Sequence, residues 1–255
     1  MGEPPGIVRD TDDGTGDVPG VSDGAPPAPL LPLATEVFGG ALAKARDYAG
    51  LLATDGVERG LIGPRETGRL WDRHLLNCGF IAELLPDHGK LVDIGSGAGL
   101  PGIVLALLKP ELDVVLVESM LRRCVFLEEC VARLELGNAT VVRGRAEDLA
   151  GSIRADVVTA RAVAPLDRLA GWAAGLLRPG GEILAIKGQS AEEELAAARP
   201  VLSRLSARST GVLYAGRGNV VPATTVVRVV IGDGVTRRHG REEQADARRS
   251  RPGVA

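Results

Sequence analysis

A glycine-rich turn between an apolar strand and an apolar helix is the feature that most constrains this chain. Leu91, Val92 and Ile94 form a short run typical of a buried strand, and a second apolar run ending at Leu108 has the length of a helix. The turn between them reads Gly-Ser-Gly-Ala-Gly over residues 95–99. Glycine permits both the tight turn and the close approach of a ligand to the N–H groups of a helix N-terminus. The stretch therefore predicts an α/β fold with a nucleotide or nucleoside cradle.

The spacing within the turn favours S-adenosylmethionine (SAM) over a dinucleotide. A dinucleotide fingerprint needs G-x-G-x-x-G, whereas Leu100 stands where the third glycine would fall. Asp93, two residues before the first glycine, suits a ligand with an ammonium group and a ribose. This arrangement resembles the first motif of the class I SAM methyltransferases. A purely structural turn and a dinucleotide site both stay open at this point.

The composition is that of a soluble domain with appendages. The chain has 255 residues, of which 45% are hydrophobic and 25% charged. No apolar run approaches the ~20 residues that span a bilayer, and the N-terminus lacks the basic and apolar regions of a secretory signal. We expect a cytoplasmic protein without a membrane partner, and we expect no oligomer. The net charge of −3 does not indicate nucleic acid, and three cysteines without CxxC spacing indicate no metal site.

The hydrophobic pattern divides the chain into four parts. Residues 1–31 are rich in Gly, Pro and Asp and are predicted to be a disordered leader. Residues 32–88 show a helical period, with Thr35 as the expected N-cap, and form a helical extension. Residues 89–232 form the core, and the basic residues 233–255 form a second disordered segment.

Strand and helix patterns alternate through the core. The predicted strands after the first cover residues 113–118, 139–142, 156–160, 182–187, 210–214 and 224–231. The predicted helices cover residues 121–134, 165–177 and 191–206, with a turn at 178–181. Repeated β-α units predict a doubly wound, mostly parallel seven-stranded sheet of Rossmann-like architecture. The last two strands have no helix between them, which predicts one antiparallel strand, as in class I methyltransferases.

In doubly wound sheets the ligand lies outside the carboxyl ends of the strands. Glu118 ends the second strand, where a carboxylate accepts hydrogen bonds from ribose hydroxyls in NAD and SAM sites alike. Ala146 and Glu147 follow the third strand, where methyltransferases bind adenine, although a helix N-terminus would also favour acidic residues there. Arg161 ends the fourth strand and is either a cation at the mouth of the site or a buried structural arginine. No Asn/Asp-Pro-Pro-aromatic motif follows that strand, which argues against amino groups as methylation targets.

Three arginines in the helical extension recur at four-residue steps. In an α-helix Arg65, Arg69 and Arg73 would lie on one edge, with His74 beside them. They form either a stripe that grips phosphates or an ordinary solvated helix face.

Six short motifs occur in one order and at consistent intervals. They are WDRHLLN at 71–77, VDIGSGAGLPGI at 92–103, ESMLRRCVFL at 118–127, RAED at 145–148, RA at 161–162 and KGQ at 187–189. Together they resemble the RsmG family (glucose-inhibited division protein B) of bacterial 16S rRNA guanine-N7 methyltransferases. The resemblance covers about residues 33–231.

The resemblance implies a substrate and a set of contacts. The substrate would be a guanosine in the decoding-region loop of 16S rRNA, met on the RNA or the small ribosomal subunit during assembly. SAM contacts are implied at Gly95, Leu100, Ala146, Glu147 and Arg161, which join Asp93, Gly97 and Glu118 from the patterns above. RNA contacts are implied at Arg145, Arg161 and Lys187, and the stripe of Arg65, Arg69 and Arg73 becomes a further candidate.

Two positions depart from the family pattern. Asn77 replaces a common Asp, and Thr224-Thr225 stand where many members carry Arg-His.

The implied reaction needs no general base, because guanine N7 carries an in-plane lone pair and no proton. We therefore expect positioning, with Arg161 contributing, rather than proton transfer. An NAD(P)-dependent oxidoreductase and a non-catalytic RNA-binding protein remain alternatives.

Overall fold

The computed structural model describes residues 24–232. Most of the predicted leader and all of the predicted tail, residues 233–255, lie outside the described residues. The part of the leader that is described belongs to the helical extension. The Gly24 carbonyl accepts a hydrogen bond of 3.0 Å from Trp71 Nε1, and the first α-helix begins at Leu31.

The helical extension is a chain of short helices rather than a few long ones. The α-helices are α1 (Leu31–Phe38), α2 (Leu42–Leu51) and α3 (Leu76–Gly79). Between and after them lie 3-10 or π-helical stretches at Leu52–Gly56, Pro64–Arg69, Leu70–Leu75 and Phe80–Leu84. The prediction of Thr35 as an N-cap is wrong. Pro32 occupies the first turn of α1, where its missing N–H costs nothing, and Thr35 Oγ1 donates to the Leu31 carbonyl inside the helix.

The core is a seven-stranded sheet in the order β3-β2-β1-β4-β5-β7-β6. The strands are β1 (Gly89–Ile94), β2 (Leu112–Glu118), β3 (Ala139–Arg143), β4 (Ala155–Arg161), β5 (Leu177–Ile186), β6 (Ala207–Ala215) and β7 (Thr224–Ile231). Only β7 runs antiparallel to its neighbours β5 and β6. The predicted fold class is confirmed. The expected turn at residues 178–181 is instead an irregularity inside β5, because Ala155 pairs with Leu177 but Val157 pairs with Glu182.

Helices cover both faces of the sheet. They are α4 (Gly102–Leu108), α5 (Leu121–Arg133), α6 (Leu166–Leu176) and α7 (Ala191–Arg204). Successive residues of β1 alternate between two cores: Leu91 packs with the extension, α4 and α5, whereas Val92 packs with α6 and α7. The strand order reverses between β1 and β4, and this switch point is where a doubly wound sheet opens a crevice for ligands.

Candidate active site

The glycine turn after β1 has a backbone that only glycine adopts readily. Gly95, Gly97 and Gly99 have φ of 66°, 59° and 96°. A Cβ on Gly95 would lie 2.8 Å from Cγ2 of Val163, and one on Gly99 would lie 2.4 Å from Cδ1 of Ile103. Side chains at these positions would therefore fill the cradle or break its packing.

Asp93 lies behind the turn rather than at its open side. Its carboxylate is fully buried: Oδ2 accepts a hydrogen bond of 3.1 Å from the Gly102 N–H, and Oδ1 accepts one of 3.2 Å from Thr159 Oγ1. Burial raises the pKa of Asp93 to about 7, against the opposing effect of the hydrogen bonds it accepts. Asp93 ties the start of α4 to β4, and this position does not support the predicted contact with an ammonium group.

Glu118 is held beside the turn at the carboxyl end of β2. The carboxylate is buried, with Oε2 accepting from the Gly97 N–H at 3.1 Å and Oε1 from the Met120 N–H at 2.9 Å. Arg123 Nη1 lies 3.5 Å from Oε2. Backbone donors thus fix the direction of this carboxylate.

A small cavity of about 270 Å³ opens between the turn and the end of β3. Its lining includes Gly95, Glu118, Ala146, Glu147, Val163 and Trp172. This cavity fits a nucleoside. The fixed carboxylate can face the sugar hydroxyls, and the apolar side chains can face a base. Four predicted cofactor residues, Gly95, Glu118, Ala146 and Glu147, come together here. Gly97 contributes through its bond to Glu118, whereas Leu100 is buried and lines neither this cavity nor the cleft described next.

A large cleft of about 1010 Å³ adjoins the small cavity. Its lining includes Arg69, Arg73, His74, Asn77, Arg161 and Lys187. Val163 lines both spaces and therefore marks where they meet. Ala162, between Arg161 and Val163, has φ of 54°, a strained conformation for a residue with a Cβ. The strain accompanies a turn that directs Arg161 to the cleft and Val163 to the boundary.

Arg161 is one of the cations that line the large cleft. Its Nη2 lies 2.6 Å from Nδ1 of His74, and its Nη1 donates to the Arg73 carbonyl at 3.4 Å. Nε2 of His74 in turn lies 2.9 Å from Oε2 of Glu66. Burial and the nearby Arg161 lower the pKa of His74 from its ordinary 6.5. Arg161 thus lines the large cleft, and its role as a cation at the mouth of the cofactor site stays a prediction.

The predicted arginine stripe does not form as an α-helical edge, because residues 64–69 are 3-10 helical and residues 70–75 are π-helical. Arg69 and Arg73 do reach the large cleft, where they pair with Asp72 at 3.0 Å and Glu66 at 3.2 Å. Arg65 is exposed and lines neither space. Arg145 is exposed at the rim of the small cavity.

Lys187 reaches the large cleft but is already paired. Its side chain is only 9% exposed, and Nζ donates to Glu194 Oε2 at 2.7 Å and to the Ala164 carbonyl at 2.8 Å. The same Glu194 oxygen accepts from the Leu166 N–H that begins α6. Lys187 therefore joins β5, α7 and the start of α6, and the RNA contact that the resemblance implies for it stays a prediction.

Sequence reasoning missed two contacts between the extension and the core. Tyr48, fully buried, donates a hydrogen bond of 2.7 Å to the Ala98 carbonyl in the glycine turn. Asn77 Nδ2 donates to Thr224 Oγ1 at 2.7 Å, and that hydroxyl donates to the Asn77 carbonyl at 2.6 Å. No local pattern indicates the first contact. For the second, the signal was that both positions depart from the family pattern.

Neither a membrane span nor a metal cluster is found in the described part of the chain. Within residues 24–232 no helix combines the length and apolar character that crossing a bilayer requires. The same residues contain no group of three or more His, Cys, Asp or Glu side chains placed to hold a metal ion.

The sheet order, the switch-point cradle and the strand-end carboxylate define a class I SAM-dependent methyltransferase. Solved structures share this fold. The chain matches Pyrococcus horikoshii TYW2 in complex with MeSAdo with a TM-score of 0.52 and 14% identity over 63% of each chain. It matches the O-methyltransferase TomG from Streptomyces achromogenes, in complex with SAM, with a TM-score of 0.50 and 16% identity over 73% of this chain and 90% of that one.

Within this class, the family model described as rRNA small subunit methyltransferase G (GidB) matches residues 41–219, and the chain belongs to that family. Relatives carry the corresponding name, Ribosomal RNA small subunit methyltransferase G. The Thermobifida fusca relative is 57% identical over 78% of this chain and 84% of its own length. The Kineococcus radiotolerans relative is 45% identical over 99% and 98%. The resemblance to the RsmG family is confirmed, and the oxidoreductase alternative is set aside.

Proposed function

We propose that this protein methylates N7 of a guanosine in 16S rRNA, with SAM as the methyl donor. One observation carries the proposal: in a member of this family, a cavity suited to a nucleoside meets an arginine-lined cleft at a single residue, Val163. A methyl donor in the first space and a base in the second would be neighbours across that boundary.

The small cavity holds the cofactor. Glu118 accepts hydrogen bonds from the ribose hydroxyls, Gly95 admits the ligand to the backbone, and Ala146 and Glu147 lie at the adenine. Bound SAM supplies an electrophilic methyl group on a sulfonium. The residues around it have the separate task of orienting the nucleoside and excluding water.

The large cleft holds the acceptor base. Guanine N7 needs no base to remove a proton, so the cleft residues act by orientation, which can contribute roughly 7–11 kcal/mol to lowering a barrier. His74 suits such a site, because both of its ring nitrogens are engaged by neighbouring side chains. Arg161 can donate a hydrogen bond to an oxygen of the nucleotide.

The RNA meets exposed arginines in the large cleft, at the rim of the small cavity and outside both spaces. Arg65, Arg69, Arg73 and Arg145 are exposed and offer guanidiniums to phosphates. Aromatic residues make up only 3% of the chain, which disfavours a platform that stacks several bases. The target therefore leaves its stack in structured RNA, and membership of the family implies that it is a guanosine in the decoding-region loop. The enzyme acts in the cytoplasm as a monomer, on the rRNA or on the small subunit during maturation.

Transfer of labelled methyl from SAM tests the proposal. Naked 16S rRNA, free small subunits and whole ribosomes are compared as acceptors, and the product is digested to nucleosides. We expect label in 7-methylguanosine, and loss of that label in Glu118→Ala, whose SAM affinity falls in calorimetry. Label on no guanine N7 with any of the three acceptors would refute the function.

A further inference from the structure

Two side chains of the extension and one from the end of β4 form a hydrogen-bonded line in the large cleft. Glu66 Oε2 lies 2.9 Å from His74 Nε2, and His74 Nδ1 lies 2.6 Å from Nη2 of Arg161. His74 is only 8% exposed, so water does not compete freely for either nitrogen. Glu66 lies in the 3-10 segment Pro64–Arg69 and Arg161 at the end of β4, so the line joins the extension to the sheet.

The donors and acceptors along this line follow from chemistry. A guanidinium donates hydrogen bonds and accepts none, so Nδ1 of His74 must be the acceptor. A neutral imidazole then carries its proton on Nε2 and donates it to the Glu66 carboxylate. His74 is therefore a neutral Nε2–H tautomer.

This arrangement orients Arg161 without neutralising it. The hydrogen-bond partners of its guanidinium are neutral: His74 Nδ1, the Arg73 carbonyl and, at 3.7 Å, the Cys78 sulfur. Within residues 24–232 it forms no salt bridge, whereas Arg69, Arg73 and Lys187 around the same cleft are each paired with a carboxylate. No carboxylate of the described residues forms a direct ion pair with Arg161, and the carboxylate that its charge reaches is that of the buried Asp93.

We propose that His74, fixed by Glu66, is the positioning residue that aims the Arg161 guanidinium, which has no direct ion-pair partner, at the acceptor nucleotide. The inference deepens the proposed function and rests on it. A carboxylate in the place of His74 would hold Arg161 equally well but would cancel its charge. A neutral acceptor leaves that charge for an oxygen of the substrate.

In acidic solution the contact between His74 and Arg161 should be lost. Protonation of His74 removes the acceptor at Nδ1 and places two cations 2.6 Å apart, so the contact with Arg161 breaks. The charged groups that face His74 are Arg161 and Arg73, which oppose its protonation, and Glu66, which favours it. The pH profile of methyl transfer should therefore show an acid limb, a fall in rate governed by a group whose pKa lies below 6.5, the ordinary value for histidine.

Two substitutions at His74 distinguish the need for a hydrogen-bond acceptor from the need for a side chain of similar size. In His74→Asn the amide oxygen stands near the position of Nδ1 and can still accept from Arg161, whereas in His74→Gln the amide lies near Nε2. We expect His74→Asn to keep most of the kcat near neutral pH and to lose the acid limb. We expect His74→Gln to lower kcat about 10- to 100-fold, with SAM and RNA affinities unchanged. Equal kcat in the two variants, or an unchanged acid limb in His74→Asn, would overturn the proposal.

A measurement on the unmodified protein covers the case in which the variants do not fold. Nitrogen-15 spectra of labelled histidine distinguish the two neutral tautomers, and the chain has only three histidines. We expect the Nε2–H form for His74, persisting below pH 6.5. The Nδ1–H form would refute the proposal. Unmodified enzyme without methyl transfer to rRNA would instead count against the proposed function.

Discussion

At the scale of single residues, Asp93 is a motif carboxylate whose burial sets its chemistry. The pKa of an unfolded aspartate lies near 3.8, and burial raises that of Asp93 to about 7. Between these values the folded protein binds the proton and the unfolded chain does not. The contribution of Asp93 to the free energy of unfolding is therefore fully present below pH 3.8 and is lost as pH rises toward 7.

We predict that Asp93→Asn removes this dependence, because asparagine can accept from the Gly102 N–H without titrating. Urea unfolding at several pH values measures it. Relative to Asp93→Asn, the unmodified protein should lose stability by roughly 1–4 kcal/mol as pH rises from about 4 to about 7. Parallel pH profiles for the two proteins would contradict the prediction.

Gly102 is the residue that the Asp93 carboxylate approaches most closely, and it should not tolerate a side chain. A Cβ there would lie 2.3 Å from Cδ2 of Leu116 and 2.7 Å from Oδ2 of Asp93. We predict that Gly102→Ala lowers the free energy of unfolding by about 1–3 kcal/mol, measured by chemical denaturation. The matched control is Gly171→Ala in α6, where no atom lies within 4 Å and alanine should stabilise by about 0.4–1 kcal/mol. Equal effects of the two substitutions would contradict the packing argument.

At the scale of elements, we predict that the ion pair of Lys187 and Glu194 stabilises the packing of β5 against α6 and α7 and does not contact RNA. We predict that Lys187→Met lowers the free energy of unfolding by about 1–3 kcal/mol, because Glu194 is left without its partner. The salt dependence of rRNA binding should stay unchanged. The substitution Arg65→Ala, at an exposed position outside both spaces, should instead leave stability unchanged. It should reduce the slope of log affinity against log salt by about 0.7–0.9. Filter binding at several salt concentrations and thermal melting decide between the roles, and the reverse pattern would restore Lys187 as a phosphate contact.

The elements that sequence predicted well are those whose signal is local. Alternation placed β7 at Thr224–Ile231 as found, and the apolar period placed α5 to within one residue of its end. The glycine turn and the end of β2 were recognisable because their residue types are dictated by the backbone and the ligand. Gly95 and Glu118, which line the small cavity, came from the same signals, whereas Ala146 and Glu147 came from the resemblance to methyltransferases.

Contacts between residues far apart in the chain could not be predicted from any window of sequence. Asp93 is engaged by Thr159, 66 residues away, and Arg161 by His74, 87 residues away. Four-residue spacing could not reveal that residues 64–75 follow 3-10 and π-helical geometry, which removes the α-helical edge from the arginine stripe. Tertiary packing overrode the local preference in each case.

At the scale of the whole molecule, the extension and the sheet share one core. Phe38, Tyr48 and Trp71 of the extension belong to the same buried cluster as Ile103 of α4 and Leu116 of β2. The extension therefore covers one face of the sheet and is not an independent unit. A chain with one continuous core on that face should unfold cooperatively.

The two tryptophans test this directly, because Trp71 lies in the extension and Trp172 in α6. In Trp172→Phe the fluorescence reports the extension, and in Trp71→Phe it reports the far face of the core. We predict that in each variant the fluorescence transition coincides with the far-UV circular dichroism transition in urea. An earlier fluorescence transition in Trp172→Phe alone would show that the extension unfolds separately.

The contact between Asn77 and Thr224 should couple the evolution of these two positions. One fully buried hydroxyl serves both the amide and the carbonyl of Asn77, so replacing either residue alone strands a polar group. Substitutions at these two positions should therefore be inherited together: lineages with an acid at 77 are expected to carry a cation at 224, and lineages with an amide there a small hydroxyl.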